Sequence, residues 1–106
     1  MALSLSYSAT VILQAIANGH QYGFDVMDVT GLPSGTVYPA LRRMEDAGYL
    51  RATWEKAAIA QREQRPPRRN YEISALGAQA LADARARYRL PADSPATIPK
   101  TSPAKA

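Results

Sequence analysis

The sequence predicts a mainly helical domain that carries one small β-hairpin. Three observations support that class. Apolar residues recur at spacings of three and four between Leu5 and Ile16 and again between Val37 and Met44, the period of a helix with one buried face. From Leu50 the period changes to two, and the alternation returns at Arg69-Asn-Tyr-Glu-Ile73, as in paired strands with one inward face. An Ala-rich stretch after Ser74 restores the helical spacing until Pro91 stops it.

The first helix is expected from Ser6 to Asn18, with Ser6 as N-cap and Gly19 just past the end. Leu5, Ser8, Ala9, Ile12 and Ile16 share one face, and Val11 and Ala15 widen it. That face is broader than a small core requires, which hints at a second partner surface. A short second helix spans Tyr22 to Val29, with Phe24, Val26, Met27 and Val29 as its apolar supply, and Thr30-Gly-Leu-Pro33 breaks it. Ser34 can cap a third helix that runs to about Ala47. There Val37, Ala40, Leu41 and Met44 lie on one side, and Gly35, Pro39, Arg42 and Asp46 lie opposite. Two helices joined by so short a Gly-containing turn make a helix-turn-helix. Pro39 sits early in the third helix, so either that helix starts later than Ser34 or its first turn is distorted.

In the strand after Gly48, Leu50, Ala52 and Trp54 point one way and Arg51, Thr53 and Glu55 the other. Tyr71 and Ile73 share a face of the second strand, and Lys56 to Arg68 reads as a long polar hairpin tip. In the last helix Gly77, Leu81, Ala84 and Tyr88 recur at the spacing of a packing seam. The whole reads as a winged helix-turn-helix: a three-helix core with a hairpin wing and a C-terminal helix. Residues 1–73 form the expected DNA-binding domain, 74–89 a C-terminal dimerisation helix, and 90–106 a disordered tail rich in Pro, Ala, Ser and Thr.

With 106 residues the chain is one small domain that oligomerisation would help, and its net charge of +4 favours a polyanionic partner. No cysteine is present, and His20 is the single histidine, so thiolate metal sites, disulfides and histidine clusters are excluded. No cofactor is expected. The carboxylates are scattered and no nucleophile has a histidine nearby, so the chain does not read as an enzyme. No apolar run approaches the ~18 residues of a membrane span, and the start lacks the charged region of a signal peptide, which makes a cytoplasmic protein the expectation.

In a winged helix-turn-helix the third helix enters the major groove. Ser34, Gly35, Thr36, Tyr38, Pro39, Arg42 and Arg43 occupy its presented side, with Thr36, Tyr38 and Arg42 suited to base edges or phosphates and Arg43 to phosphate. Tyr38 can equally pack on the second helix, and the arginines can equally form a solvated face. Arg51 to Arg69 holds six cations against two carboxylates, an excess of four that equals the charge of the whole chain. Arg62, Arg65, Arg68 and Arg69 on that tip suit backbone or minor-groove contact, or simply keep a hairpin soluble. Trp54 is expected in the core; Tyr7, Tyr22 and Tyr88 share its alternative of lining a ligand pocket. His20 is expected as a turn residue or phosphate contact.

Tyr22-Gly-Phe-Asp25, Gly35-Thr-Val-Tyr-Pro-Ala-Leu-Arg-Arg-Met-Glu45, Gly48-Tyr-Leu50, Trp54-Glu55, Arg65-Pro-Pro-Arg-Arg-Asn-Tyr71 and Ser74-Ala-Leu-Gly77 together resemble the PadR family of bacterial transcriptional regulators. The resemblance covers roughly residues 5 to 88. It implies a homodimer held by the first and last helices, here Leu5, Val11, Ile12, Leu81, Ala84 and Tyr88. Two recognition helices would face a palindromic operator in double-stranded DNA, with half-sites ~34–36 Å apart. The family usually represses, and often responds to a phenolic or other small hydrophobic effector at or near the dimer interface. Two departures stand out: the turn between the second and third helices is short, and the last helix is a modest dimerisation arm. Two other readings compete. One is a winged-helix protein-interaction module whose basic wing binds an acidic partner. The other is an RNA-binding accessory protein, which the inward placement of Trp54 and Tyr71 disfavours.

Overall fold

The computed structural model describes residues 5–90. In chain order it contains α1 (Tyr7–Ala17), α2 (Gly23–Thr30), α3 (Ser34–Asp46), β1 (Leu50–Trp54), α4 (Ala57–Arg62), β2 (Arg69–Ile73) and α5 (Ala75–Tyr88). The strands form one antiparallel hairpin, in register from Leu50 opposite Ile73 to Trp54 opposite Arg69. This is the winged helix-turn-helix expected from the sequence.

The α1 helix is its centre. Ser6 caps it by accepting the Ala9 N–H at 3.1 Å. Every residue from Ala9 to Ile16 is buried, because α2, α3, α5 and β2 all pack on it. Its buried polar groups are satisfied along the helix: Thr10 donates to the Ser6 carbonyl at 2.7 Å and Gln14 to Asn18 Oδ1 at 3.0 Å. The breadth of the apolar face therefore reflects four neighbours within one chain. The residues expected at a dimer seam pack into the same core. Leu5, Val11, Ile12, Leu81 and Ala84 are at most 4% exposed in a single copy, so their surface is already covered. Tyr88 is half-buried, sets its ring edge-on to Tyr7, and donates to the Leu5 carbonyl at 3.0 Å, beside Arg87 at 2.7 Å.

Pro33, not Ser34, occupies the N-cap of α3, and its carbonyl accepts from both Thr36 and Val37 at 3.0 Å. The helix thus begins at Ser34 and runs through Pro39. Pro39 has no N–H for the Gly35 carbonyl, but Gly35 is exposed, so water can take that acceptor. Val37, Ala40, Leu41 and Met44 are buried on the opposite side, each of the larger ones contributing ~1.5–3 kcal/mol by leaving water. At the far end Gly48 adopts φ +85°, and Tyr49 N–H reaches back to Met44 O at 2.9 Å. A left-handed residue there turns the chain straight into β1. Ser74 then ties the hairpin to α5: its hydroxyl donates to Gly48 O at 2.6 Å and accepts from Gly77 N–H at 3.0 Å.

Two features depart from expectation. The expected polar tip contains α4, an Ala-rich turn and a half whose Ala60 is buried. Trp54, expected in the core, is 65% exposed, because the inward face of β1 runs past the end of the core after Leu50 and Ala52. The segment before α2 also joins the hairpin: Tyr71 N–H donates to Gln21 O at 2.8 Å, and Tyr22 bridges to Asn70. The expected tail lies outside the described residues. No helix among the described residues is long and apolar enough to cross a membrane.

Candidate nucleic-acid interface

The exposed side of α3 carries Ser34, Gly35, Tyr38, Pro39, Arg42 and Arg43, with Thr36 half-buried at its edge. Tyr38, Pro39, Arg42 and Arg43 line one shallow cleft. Neither Arg42 nor Arg43 is among the ion pairs of the described residues, so both cations face solvent. Burial of Val37, Leu41 and Met44 fixes the rotation of α3 and so decides which residues are presented.

Tyr38 is 47% exposed and does pack on α2. A Cβ on Gly23 would stand 2.5 Å from its ring, so only glycine there lets the ring lie against the first turn of α2. Tyr38 also borders a second cleft with Tyr22, Phe24, Arg68 and Tyr71, which makes it the joint between the α3 face and the base of the wing. Tyr22 and Phe24 were not singled out for this face from the sequence. Phe24 is 71% exposed at the start of α2, where an apolar residue has no core to reach. Burial raises the Tyr71 phenol above its ordinary range, the main cause of its shift.

The wing cations divide. Arg62 on α4 is exposed, and Arg68 is exposed with its guanidinium carbon 5.2 Å from the Tyr22 ring centre. Arg65 and Arg69 are engaged within the protein. Arg65 grips Glu55 through both terminal nitrogens, at 2.6 and 2.9 Å, and pairs with Glu63 at 3.0 Å. Glu55 Oε1 also accepts the Arg68 backbone N–H at 3.2 Å, so one carboxylate, only 7% exposed, closes the wing tip. The Arg65 hydrogen bonds, outweighing the opposing effect of burial, hold the Glu55 carboxyl down at about 2. The same contacts push the Arg65 guanidinium above its usual range. Arg69 pairs with Glu45 of α3 at 3.0 Å and stacks on Trp54. His20 lies at the end of α1, where its backbone N–H closes the helix on Ala15 O at 3.0 Å. Among the described residues no cluster of His, Asp and Glu has the makings of a metal site.

A short-turn helix pair, a third helix with a basic and hydroxyl-bearing outer face, and a two-stranded wing beside it define a winged helix-turn-helix protein. Solved structures share this fold at low identity. A PadR-like transcription factor from Bacteroides fragilis aligns at 22% identity and TM-score 0.65, over 76% of this chain and 79% of that one. A PadR family transcription regulator from Clostridium difficile aligns at 21% and 0.68, over 79% and 88%. The circadian clock associated protein Pex from Anabaena aligns at 24% and 0.57, over 83% and 84%. No curated protein matches. The chain belongs to the transcriptional regulator PadR-like family, whose model matches residues 12–83.

Proposed function

We propose that the protein is a homodimeric, sequence-specific transcriptional repressor that binds a palindromic operator in double-stranded DNA and works in the cytoplasm. The observation that carries the reading is the division of cations. Those of the α3 face, with Arg62 and Arg68 of the wing, point outward without carboxylate partners, whereas Arg65 and Arg69 are paired inward. Ser34, Gly35, Thr36, Tyr38, Pro39 and Arg42 meet the major groove, Arg43 meets phosphate, and the wing follows the adjacent backbone. Residues 1–73 are the DNA-reading unit, and the helix over 74–89 joins two copies.

The contact between copies falls on the outer face of α5, since its inner face is covered by α1. Ala75, Ala78, Ala82 and Ala86 are exposed along that outer face, and small side chains let two helices approach closely. A small hydrophobic or phenolic effector acting at that contact would release the operator. The test is equilibrium binding to DNA from upstream of the protein's own gene, at two salt concentrations, with unrelated DNA as competitor. Competitor-resistant binding of one dimer per palindrome is expected, falling steeply as salt rises. Weak binding that competitor abolishes would point to an operator elsewhere or to a wing that docks on an acidic protein, and the same weak binding across DNA selected from a random pool would overturn the reading.

A further inference from the structure

Arg68 and Arg69 are adjacent in sequence and face different partners. Arg68 lies over Tyr22. Arg69 shares the inner face of β2 with Tyr71 and Ile73, as strand alternation requires. Its guanidinium sits 3.0 Å from Glu45 Oε2 on α3, and its carbon lies 5.0 Å from the centre of the Trp54 ring. Trp54 and Arg69 are paired across the ladder, so the indole supports the flat of the guanidinium while the carboxylate takes its edge.

The placement meets a mechanical need. Leu50, Ile73 and the buried Tyr71 anchor the hairpin to the core, and Gln21 and Tyr22 pin β2 at Tyr71 and Asn70, so the Trp54–Arg69 pair is the outermost rung of the ladder, two residues beyond Tyr71. Two residues of strand span about 7 Å, so a rotation of about 10° there carries that pair through about 1 Å. Glu45 occupies the last turn of α3, the helix whose exposed face presents Arg42 and Arg43. One guanidinium therefore touches both elements that approach DNA.

We infer that Glu45, Arg69 and Trp54 form a brace that holds the wing at a set angle to α3, and that Arg69 is a positioning residue for DNA binding and makes no phosphate contact itself. The inference rests on the DNA-binding reading above. Glu45 and Arg69 side chains are each about one-third exposed (33% and 34%). A pair so open to water adds little to stability, and its effect lies in orientation.

Glu45→Gln gives the cleanest test because it fixes a sign. Removing a carboxylate near DNA should tighten binding if only charge matters. The brace requires the reverse: operator affinity falls about threefold to fivefold, the range open to one partly exposed pair. Hydroxyl-radical protection should vanish beneath the wing and persist beneath α3. Arg69→Gln should match Glu45→Gln in both respects, and the exchange E45R/R69E, which rebuilds the ion pair but not the contact with Trp54, should recover affinity and wing protection in part. A merely destabilising change would lower the melting temperature without that selective loss of protection or its rescue.

Trp54 gives a reading without DNA: its emission should shift in both single variants, because one removes the guanidinium over the indole and the other removes the carboxylate that holds it there. Tighter binding by Glu45→Gln, or an exchange variant no better than Arg69→Glu, would overturn the brace. So would an unchanged Trp54 spectrum in both single variants. If the wild type shows no salt-dependent binding at all, the DNA reading falls instead, and the Trp54 arm still decides whether the pair holds the hairpin.

Discussion

The two surfaces offered to DNA are held in place by different physics. The α3 helix is fixed by apolar burial: Val37, Leu41 and Met44 are closed off from solvent, and the cations opposite them, Arg42 and Arg43, have no ion pair among the described residues. The wing extends beyond that core. Its order comes from the strand ladder and the bridge of Tyr22 to Asn70, to which two carboxylate–arginine pairs are added, Glu55 with Arg65 inside the tip and Glu45 with Arg69 across to α3. Where burial fixes an element its charged side chains are free to recognise; where burial is lacking, part of the charge becomes structure. Counting arginines on a loop therefore overstates the charge available to a ligand.

The comparison can be broken most severely at the buried side of α3. Leu41→Ala should destabilise the domain by ~2–5 kcal/mol, seen as a drop in thermal midpoint that carries the wing signal with it. Gly23→Ala pushes the exposed end of the Tyr38 ring aside; that end can swing into solvent, so stability should change by no more than the ~0.4–1 kcal/mol by which Ala and Gly differ at a compatible site. Denaturant titration checks the stability, and operator competition should show lost discrimination in the same variant. Arg42→Ala leaves the fold intact and should erode discrimination between operator and mismatched DNA by ~1–3 kcal/mol if it reads a base edge. Equal loss on every sequence would reassign Arg42 to phosphate. Arg68→Ala should do what Arg42→Ala should not: weaken all sequences alike and lower the salt slope by ~0.9 for one lost phosphate contact.

Acid should separate the two regions without any substitution. Glu55 titrates at about 2 in the folded chain, against 4.5 for an ordinary glutamate. A depressed carboxylate stabilises above its unfolded value and loses that contribution as pH falls toward the folded one. The wing should therefore loosen between about pH 4.5 and pH 2, followed by Trp54 emission, and Glu55→Gln should remove that transition. The effect on global stability is small, since the pair lies outside the main core.

Much of the fold was legible in the sequence, because periodicity reports burial directly. The stripe on α3, the cap at Ser6, the start of α5 after Ser74 and the change of period at Leu50 all stand where the chain shows them, whereas Ser34, expected as a cap, is the first residue inside its helix. What burial faces is not encoded in periodicity. Leu81 and Ala84 lie on a seam, and only the packing reveals that α1 of the same chain fills it. The candidate site was legible as a cluster of cations but not as a division among them. Arg65 finds Glu55 ten residues away and Arg69 finds Glu45 at a separation of 24, pairings that folding creates. The Ala57-Ala-Ile-Ala60 run did carry helical propensity, the one local signal that could have revealed α4.

The latch between the two ends of the domain has a consequence for how the chain folds. Tyr88 and Arg87 reach the Leu5 carbonyl across separations of 83 and 82 residues, and Arg85 reaches Gln14 across 71. The central helix is therefore synthesised well before the residues that complete its cover. Closing so long a loop is entropically costly until the final contacts form. On the ribosome, α1 must wait with part of its surface open until α5 has left the exit tunnel, so the domain completes its fold only once both of its ends are available.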